Sequence, residues 1–301
     1  MHRRIRTLVV AGAALAVLAA VTSSASGTAA PAAPSRIVYT AGTSTQSDVY
    51  VVSAKGGRAV RLTKNHALDL NPTWSPSGKQ IAFESNMAQS APNDSDVFVM
   101  TANGKNLRQL TFSNSFDGDP SWGRTNKIAF ESDRTGNTDI WVINPDGSNE
   151  HRLTTSSAFD GDPVWSPDGR QIAFTSTRTG NRQIWVMNAD GSDQKQLTNL
   201  SGVNQNPSWS PDGLQIAFDT SVDGNFEIYT MNVDGSDETR LTDNQALDAL
   251  PSFSPDSQHI VFVSDRSRRG QRRLYVMNFD GSHVRALTHG NFDMSPDWAR
   301  G

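Results

Sequence analysis

Cysteine is absent from the 301-residue chain. Its absence excludes disulfide bonds, thiolate metal sites, a cysteine nucleophile and a lipid anchor attached through cysteine. An exported chain without such cross-links needs a large hydrophobic core for its stability. The 23 glycines and 14 prolines favour many short strands joined by tight turns.

Strong charge of one sign is also missing, because the formal net charge is only −4. A weakly acidic surface offers no general attraction for nucleic acid, so we expect no nucleic-acid partner. Catalytic motifs are equally scarce. We find no Gly-x-Ser-x-Gly elbow and no His-Glu-x-x-His pair, and the six histidines are scattered along the sequence.

Long hydrophobic runs are limited to one stretch near the start. Leu8–Val21 is an uncharged apolar run of 14 residues, preceded by three arginines within Met1–Arg6 and followed by small residues. Fourteen helical residues span roughly 21 Å, too short for a hydrocarbon core of about 30 Å. The order of segments is that of a secretory signal peptide. We expect residues 1–33 to be removed by cleavage between Ala25 and Ala33, leaving an exported, periplasmic or extracellular protein, 34–301, that does not span the membrane.

A repeat of roughly 44 residues fills the remainder of the chain. It carries the motif Pro-x-Trp-Ser-Pro-Asp-Gly and, in step with it, a Leu-Thr pair. The aromatic residue of the motif recurs at spacings of 48, 43, 44, 44 and 45. Its six positions are Trp74, Trp122, Trp165, Trp209, Phe253 and Trp298.

Each repeat predicts four strands. The aromatic segment forms the first strand, Ser-Pro-Asp-Gly turns the chain, Ile-Ala-Phe forms the second strand, and Asn-x-Asp-Gly-Ser joins the third strand to the fourth. The chain enters at a second strand, Ile37–Tyr39, and ends on a first strand, Met294–Ala299. We therefore predict an all-β, six-bladed β-propeller of four-stranded antiparallel blades, in which the C-terminal strand closes the N-terminal blade.

These repeats resemble the WD-like Pro-Asp repeat of the TolB-like propeller family. TolB is the periplasmic subunit of the Tol–Pal envelope system, and the resemblance implies an exported propeller that binds an envelope protein or peptide at its channel mouth. TolB carries an α/β domain ahead of its propeller, whereas here few residues separate the signal from the first strand. The expectation is therefore a TolB-like propeller without that domain, and participation in a Tol–Pal system stays open.

Candidate binding residues lie on the face that carries the loops between blades, because loops on a rigid scaffold usually hold binding residues. The residues five positions before each aromatic form an outer ring: Asp69, Asp117, Asp160, Asn204, Asp248 and Asp293. The residues three positions before each aromatic form an inner ring: Asn71, Asp119, Asp162, Asn206, Leu250 and Ser295. The rings predict an acidic entrance for a partner's basic side chain or oxygen ligands for a structural Ca²⁺. In the alternative, each outer-ring Asp bonds local backbone or pairs with Arg134, Arg178 or Arg266. Asp119 and Asp162, present in only two blades, are the stronger candidates for partner or metal contact.

Three further features stand out on the same face. The loop 265–273 holds five arginines that favour an anionic partner, or form a solvated loop: Arg266, Arg268, Arg269, Arg272 and Arg273. The loop Asn86–Asp96 is the longest and is open to two interpretations, a partner-wrapping loop or insertion drift. His66 and His289 flank the closing blade without matched carboxylates, so they give little support for a metal site.

The favoured interpretation is a monomeric, non-catalytic propeller that binds a protein, a peptide or an envelope polymer. The alternative is a polysaccharide-active lyase or hydrolase that uses the pairs Asp117/Asp119 and Asp160/Asp162 of adjacent blades for acid–base work. No cofactor other than the channel Ca²⁺ is expected.

Overall fold

The computed structural model describes residues 35–88 and 94–299. Within these ranges every regular element is a β-strand, and the strands form six four-stranded antiparallel sheets. The prediction of a six-bladed propeller is thus confirmed. The predicted signal segment, residues 1–33, lies outside the described residues. In the described part of the chain, no helix combines the length and the hydropathy that crossing a membrane requires.

The first strand of every blade touches the first strands of both neighbouring blades, so these strands surround the axis. They are β4 (Asp69–Trp74), β8 (Asp117–Trp122), β12 (Asp160–Trp165), β16 (Asn204–Trp209), β20 (Asp248–Phe253) and β24 (Asp293–Trp298). The second strands are β1 (Arg36–Gly42), β5 (Gln80–Ser85), β9 (Ile128–Ser132), β13 (Gln171–Ser176), β17 (Gln215–Thr220) and β21 (His259–Ser264).

The third strands continue each blade outward and the fourth strands form its rim. The third strands are β2 (Ser47–Ser53), β6 (Asp96–Thr101), β10 (Asp139–Ile143), β14 (Gln183–Asn188), β18 (Glu227–Asn232) and β22 (Arg273–Asn278). The fourth strands are β3 (Val60–Arg61), β7 (Arg108–Gln109), β11 (His151–Arg152), β15 (Lys195–Gln196), β19 (Thr239–Arg240) and β23 (Arg285–Ala286). We number the blades from the closing one: blade 1 is β24-β1-β2-β3, and blades 2 to 6 follow in chain order.

Six hydrophobic cores lie between adjacent blades. In one of them, Ala82, Val97 and Val99 of blade 2 pack against Trp122 and Phe130 of blade 3. Both faces of a blade are therefore buried, which explains why the Ile-Ala-Phe strands are apolar without the alternation of a half-exposed strand. The repeat builds one core per blade interface, so a chain without cysteine can still bury a large apolar area.

The ring closes in blade 1. Strand β24 pairs antiparallel with β1, with Trp298 opposite Ile37. Trp298 donates its backbone N–H to Ser252 Oγ of blade 6 at 3.2 Å, and Asp297 accepts the backbone N–H of Trp74 of blade 2 at 2.7 Å. The last strand thus bonds to its own blade and to both neighbours. The predicted closure by the C-terminal strand is confirmed.

Candidate functional site

The channel contains a cavity of about 150 Å³, lined by the third to fifth residues of the six-residue first strands. Three consecutive residues from each of the six first strands form its wall, so every blade contributes. The first residue of each trio belongs to the inner ring and the second is a proline. The structure thereby places the whole inner ring around one cavity: Asn71, Asp119, Asp162, Asn206, Leu250 and Ser295.

Every inner-ring residue lies in the left-handed region of backbone space, with φ between 43° and 56°. In blades 2 to 6 the register between first and second strands shifts at this residue, which marks a β-bulge. Asn and Asp tolerate this conformation better than other side chains. Backbone geometry is therefore one reason for the recurrence of Asn and Asp in the inner ring, and Leu250 adopts the same geometry without that advantage (φ 56°).

Carboxylates from the second strands bond to these bulges across the blade interface. The backbone N–H of Asp162 donates to Glu131 Oε1 of blade 3. The backbone N–H of Asp119 donates in the same way to Glu84 of blade 2. Because a buried N–H group without an acceptor is costly, these two glutamates stabilise the wall of the cavity.

Four carboxyl groups cluster on one side of the cavity, between blades 2, 3 and 4. Asp119 and Asp162 line the cavity, and Glu84 and Glu131 are buried on second strands and bond to its wall. We call Glu84, Asp119, Glu131 and Asp162 the acidic cup. Carboxylate oxygens of Asp119, Glu131 and Asp162 all lie within 4.8 Å of one another. In the described residues, this is the one set of three ligand-type side chains close enough to hold a metal ion.

Burial raises the pKa of every group in the cup, and repulsion between carboxylates raises the pKa of Asp119 and Glu131 further. Burial is the main cause for Glu131, whose pKa rises to about 8, and repulsion from Asp162 is the next largest. The pKa of Asp119 is raised well above its ordinary range, by burial and then by Glu131 and Glu84. Burial also raises the pKa values of Glu84 and Asp162. The cup therefore holds protons at neutral pH in the absence of a bound cation.

Blade 5 extends the acidic region through Asp219. Its side chain is fully buried, and burial raises its pKa to about 7. Asp219 Oδ2 accepts a hydrogen bond from Asn206 Nδ2 at 2.8 Å and another from the backbone N–H of Leu250 at 2.9 Å. Asp219 thus holds the inner-ring residues of blades 5 and 6, just as Glu84 and Glu131 hold those of blades 3 and 4.

The sequence Phe-Asp-Gly-Asp-Pro, present in blades 3 and 4, shapes the cup. A Cβ atom at Gly118 would lie 2.6 Å from Glu84 Oε2, and one at Gly161 would collide with Glu131 Oε1. The same added atoms would collide with the rings of Phe116 and Phe159. Glycine at these two positions therefore permits the close approach of a carboxylate from one side and a phenyl ring from the other.

Six apolar side chains surround the entrance, six positions before each aromatic of the repeat. All are half-buried, and Leu247 also packs against the core between blades 6 and 1. We call them the apolar collar: Leu68, Phe116, Phe159, Val203, Leu247 and Phe292. Two phenylalanines of the collar, Phe116 and Phe159, lie on blades 3 and 4, which also carry three of the four residues of the acidic cup.

The outer ring is buried inside the blades, where no residue of the ring is more than 3% exposed. Three members form the ion pairs of the alternative prediction: Asp117–Arg134, Asp160–Arg178 and Asp248–Arg266, at 2.7, 2.5 and 2.7 Å. Two others bond locally, Asp69 to Ser85 Oγ and Asp293 to Thr288 Oγ1. Asn204 donates to Gln183 Oε1 at 3.1 Å. These residues support the walls of the mouth and do not line the cavity.

The same burial separates the aspartate pairs of the enzymatic alternative. Asp117 and Asp160 are held in their ion pairs, while Asp119 and Asp162 line the cavity. The carboxyl group that the structure brings beside Asp119 and Asp162 is Glu131. Any acid–base chemistry in the channel would therefore involve this trio.

The five arginines of the loop 265–273 divide into two groups. Arg268 and Arg269 are exposed. Arg266 pairs with Asp248 and lies over the rings of Phe262 and Tyr275, each 5.1 Å from its Cζ atom. Arg272 contacts Met294 Sδ at 3.3 Å, and Arg273 donates to the carbonyl of Gly290 at 2.9 Å. A continuous patch of five free guanidinium groups is thus not formed, and two remain available to an anionic partner.

The other predicted features lie apart from the cavity. His66 and His289 are exposed, and neither belongs to the carboxylate trio. Residues 89–93 of the loop Asn86–Asp96 lie outside the described residues, so its predicted role in wrapping a partner stays a prediction.

Sequence reasoning missed two parts of this site. The carboxylates of the second strands follow Ile-Ala-Phe directly, as Glu84, Glu131 and Asp219. The apolar collar lies one residue before the outer ring. Comparing the blades position by position beyond the first strand would have revealed both, because an acidic residue after an apolar strand is unusual unless it bonds something buried.

The repeat matches the sequence model of a known family. The sequence model described as "TolB beta propeller domain" matches residues 123–200 and 192–301, which together exceed half of the chain. A search of curated proteins finds no match.

Solved structures share the fold. TolB from Acinetobacter baumannii is 23% identical with a TM-score of 0.77, over 88% of this chain and 66% of that one. A putative TolB from Agrobacterium tumefaciens is 22% identical with a TM-score of 0.68, over 87% and 90%. The tricorn protease is 17% identical with a TM-score of 0.67, over 86% and 27%. The chain thus spans just under two thirds of the Acinetobacter protein, and at these identities the likeness concerns the fold alone.

Proposed function

Because this chain belongs to the TolB β-propeller family, we propose that it is an exported, non-catalytic binding protein whose channel mouth receives a protein or peptide partner. The partner inserts a cationic side chain into the acidic cup and lays apolar side chains on the collar. The predicted signal segment supports export to the periplasm or the cell exterior, and we propose a monomer that binds an envelope or extracellular protein.

One observation carries the proposal: the channel cavity has an acidic cluster on one side, and half-buried apolar residues directly precede the first strands that line it. Binding sites of proteins are typically concave and apolar with a few polar groups that fix orientation. Here the polar groups are all acidic on one side, which selects an ammonium or guanidinium group. The apolar collar supplies the contact area that surrounds it.

Hydrogen bonds also hold the wall of the site in place in the absence of a partner. The inner-ring backbone is bonded through Glu84, Glu131 and Asp219 to the second strands of neighbouring blades. Rigid sites lose less conformational freedom on association. If the channel also holds a structural Ca²⁺, as the sequence suggested, the ligands that we propose for it are Asp119, Glu131 and Asp162, with other oxygens completing the coordination.

The test begins with a randomised peptide library displayed on phage and selected on residues 34–301. We expect enriched peptides to carry Lys or Arg beside apolar residues. Synthetic copies should bind the double variant Asp119→Asn/Asp162→Asn at least tenfold more weakly than the wild type, with an association rate that falls as salt rises. Asparagine keeps an acceptor oxygen and tolerates the left-handed backbone, so the fold should be retained.

The matched control is Asp190→Asn/Asp234→Asn, in the exposed Asn-x-Asp-Gly turns of the opposite face, which should bind like the wild type. Enrichment of peptides that both double variants bind equally would refute the proposal. If the wild type instead hydrolyses or eliminates a glycan in a screen, and Asp119→Asn/Asp162→Asn loses that activity, the enzymatic alternative is favoured.

A further inference from the structure

Arg182 lies at the entrance to the acidic cup, directly before β14. Its guanidinium carbon is 4.4 Å from the centre of the Phe159 ring of the collar. Its Nη1 donates to Gln205 Oε1 at 2.9 Å and lies 4.0 Å from Asp162 Oδ2. The charge of Arg182 lowers the pKa of each carboxyl group of the trio Asp119, Glu131 and Asp162, against the larger effect of burial.

The contact between Arg182 and the cup is loose. At 4.0 Å the distance exceeds that of a hydrogen bond, and the Arg182 side chain is 38% exposed. Thr175 and the backbone N–H of Asn206 stabilise the charged form of the Asp162 carboxyl group, but in the described residues no donor is in hydrogen-bonding geometry with its buried Oδ2. Buried carboxylate oxygens without donors are uncommon and indicate a position where a further donor can bind.

Other arginines of the same face show what a permanent pair looks like here. Arg134 and Arg178 donate directly to Asp117 and Asp160 at 2.7 and 2.5 Å, and their side chains are 19% and 18% exposed. Half-exposed ion pairs at longer distance contribute little to stability. Arg182 is therefore held mainly by Gln205 and by the face of Phe159, and its charge is free to leave the cup.

We propose that the Arg182 guanidinium is a resident substitute for the partner's cation, which it resembles in chemistry and position, and that a guanidinium or ammonium group of the partner displaces it on binding. This inference rests on the proposed function, because it identifies which chemical group of the partner enters the cup. Arg182 then sets specificity by competition. Only a cation that bonds directly to Asp162 Oδ2, from which Arg182 stays 4.0 Å away, binds more strongly than Arg182.

The test measures binding of N-acetyl-arginine amide to residues 34–301 by ligand-detected NMR titration. Arg182→Gln should bind this probe at least tenfold more tightly than the wild type, because the competing cation is gone. Arg272→Gln is the matched control: Arg272 also directly precedes a third strand, β22, but it contacts Met294 and not the cup. It should bind like the wild type. Arg182→Lys, which keeps the charge, should show less gain than Arg182→Gln.

Adding Asp162→Asn to Arg182→Gln should abolish the gain. Equal or weaker binding by Arg182→Gln, an equal gain for Arg272→Gln, or no binding by either protein would overturn the inference. Selection of apolar-flanked cationic peptides in the library experiment would leave the proposed function standing in each of these cases, so the two failures can be told apart. Circular dichroism of each variant checks that the fold is intact.

Discussion

Replacing Glu131 with glutamine should make the stability of the protein less dependent on pH. Burial and the neighbouring Asp162 raise the pKa of Glu131 from 4.5 to about 8, so the folded protein keeps a proton that the unfolded chain has released. The stabilisation that this proton provides is complete below pH 4.5 and is lost as pH rises toward 8. Glutamine resembles the protonated acid and still accepts the N–H of Asp162, so it removes the titration and keeps the hydrogen bond.

The magnitude follows from linkage. One group protonated only in the folded state reduces the free energy of unfolding by about 1.4 kcal/mol for each pH unit. Between pH 5 and 7 the wild type should therefore lose up to roughly 3 kcal/mol relative to Glu131→Gln. For a propeller of this size that is a shift in Tm of roughly 6–12 °C. Because Glu131 titrates together with the rest of the cup, a smaller slope should remain in the variant.

The assay is urea unfolding of both proteins at pH 5, 6, 7 and 8, because a guanidinium denaturant would itself bind the cup. The control is Asp168→Asn, since hydrogen bonds to Ser166 and to the backbone lower the pKa of Asp168, which stays ionised in both states across this range. It should leave the slope unchanged. If the free energy of unfolding depends on pH equally in the wild type and in Glu131→Gln, the claim that folded Glu131 holds a proton is refuted.

Three further predictions concern the walls of the site. Arg134→Ala should destabilise the protein by roughly 3 kcal/mol in urea unfolding, because it leaves the fully buried Asp117 without its cation; a loss below 1 kcal/mol would contradict the structural role of the outer ring. Trp298→Ala should cost about 3–5 kcal/mol by the same assay and promote aggregation, because Trp298 joins blade 1 to blade 6; an unchanged midpoint would contradict closure by β24. Gly161→Ala should weaken binding of the selected peptides, because the added methyl group displaces Glu131 and Phe159. The control Ser156→Ala, in the loop before Gly161, should bind like the wild type. Equal affinities for the wild type and both variants would exclude the close approach at Gly161.

The repeat made the fold predictable, because each copy carries the same turn motifs and apolar strand segments, and the six copies agree. The ends of the chain then predicted the closing pair of Ile37 and Trp298. The inner ring was predictable as a ring, since its distance from each aromatic is constant.

The chemistry of the cup was harder to predict. The β-bulge at the inner ring directs backbone N–H groups such as that of Asp162 toward a carboxylate of the preceding blade, and no spacing within one repeat shows a contact between two repeats. The outer ring illustrates the opposite case. Its acidic residues predicted an electronegative entrance, but a carboxylate at the start of a buried strand is satisfied inside the blade by residues such as Arg134 or Ser85. Burial, which the sequence shows only indirectly, separates the two rings.

The central claim is that a partner's cation enters the acidic cup, and calorimetry tests it directly. A cation beside Glu131 lowers the pKa of that group from about 8, so binding at pH 7 should release protons. Titrations of a library-selected peptide in phosphate and in Tris, whose ionisation enthalpies differ, should then give different binding enthalpies, and Asp119→Asn/Asp162→Asn should reduce the difference. Identical enthalpies in both buffers, with tight binding, would show that the peptide binds without entering the cup.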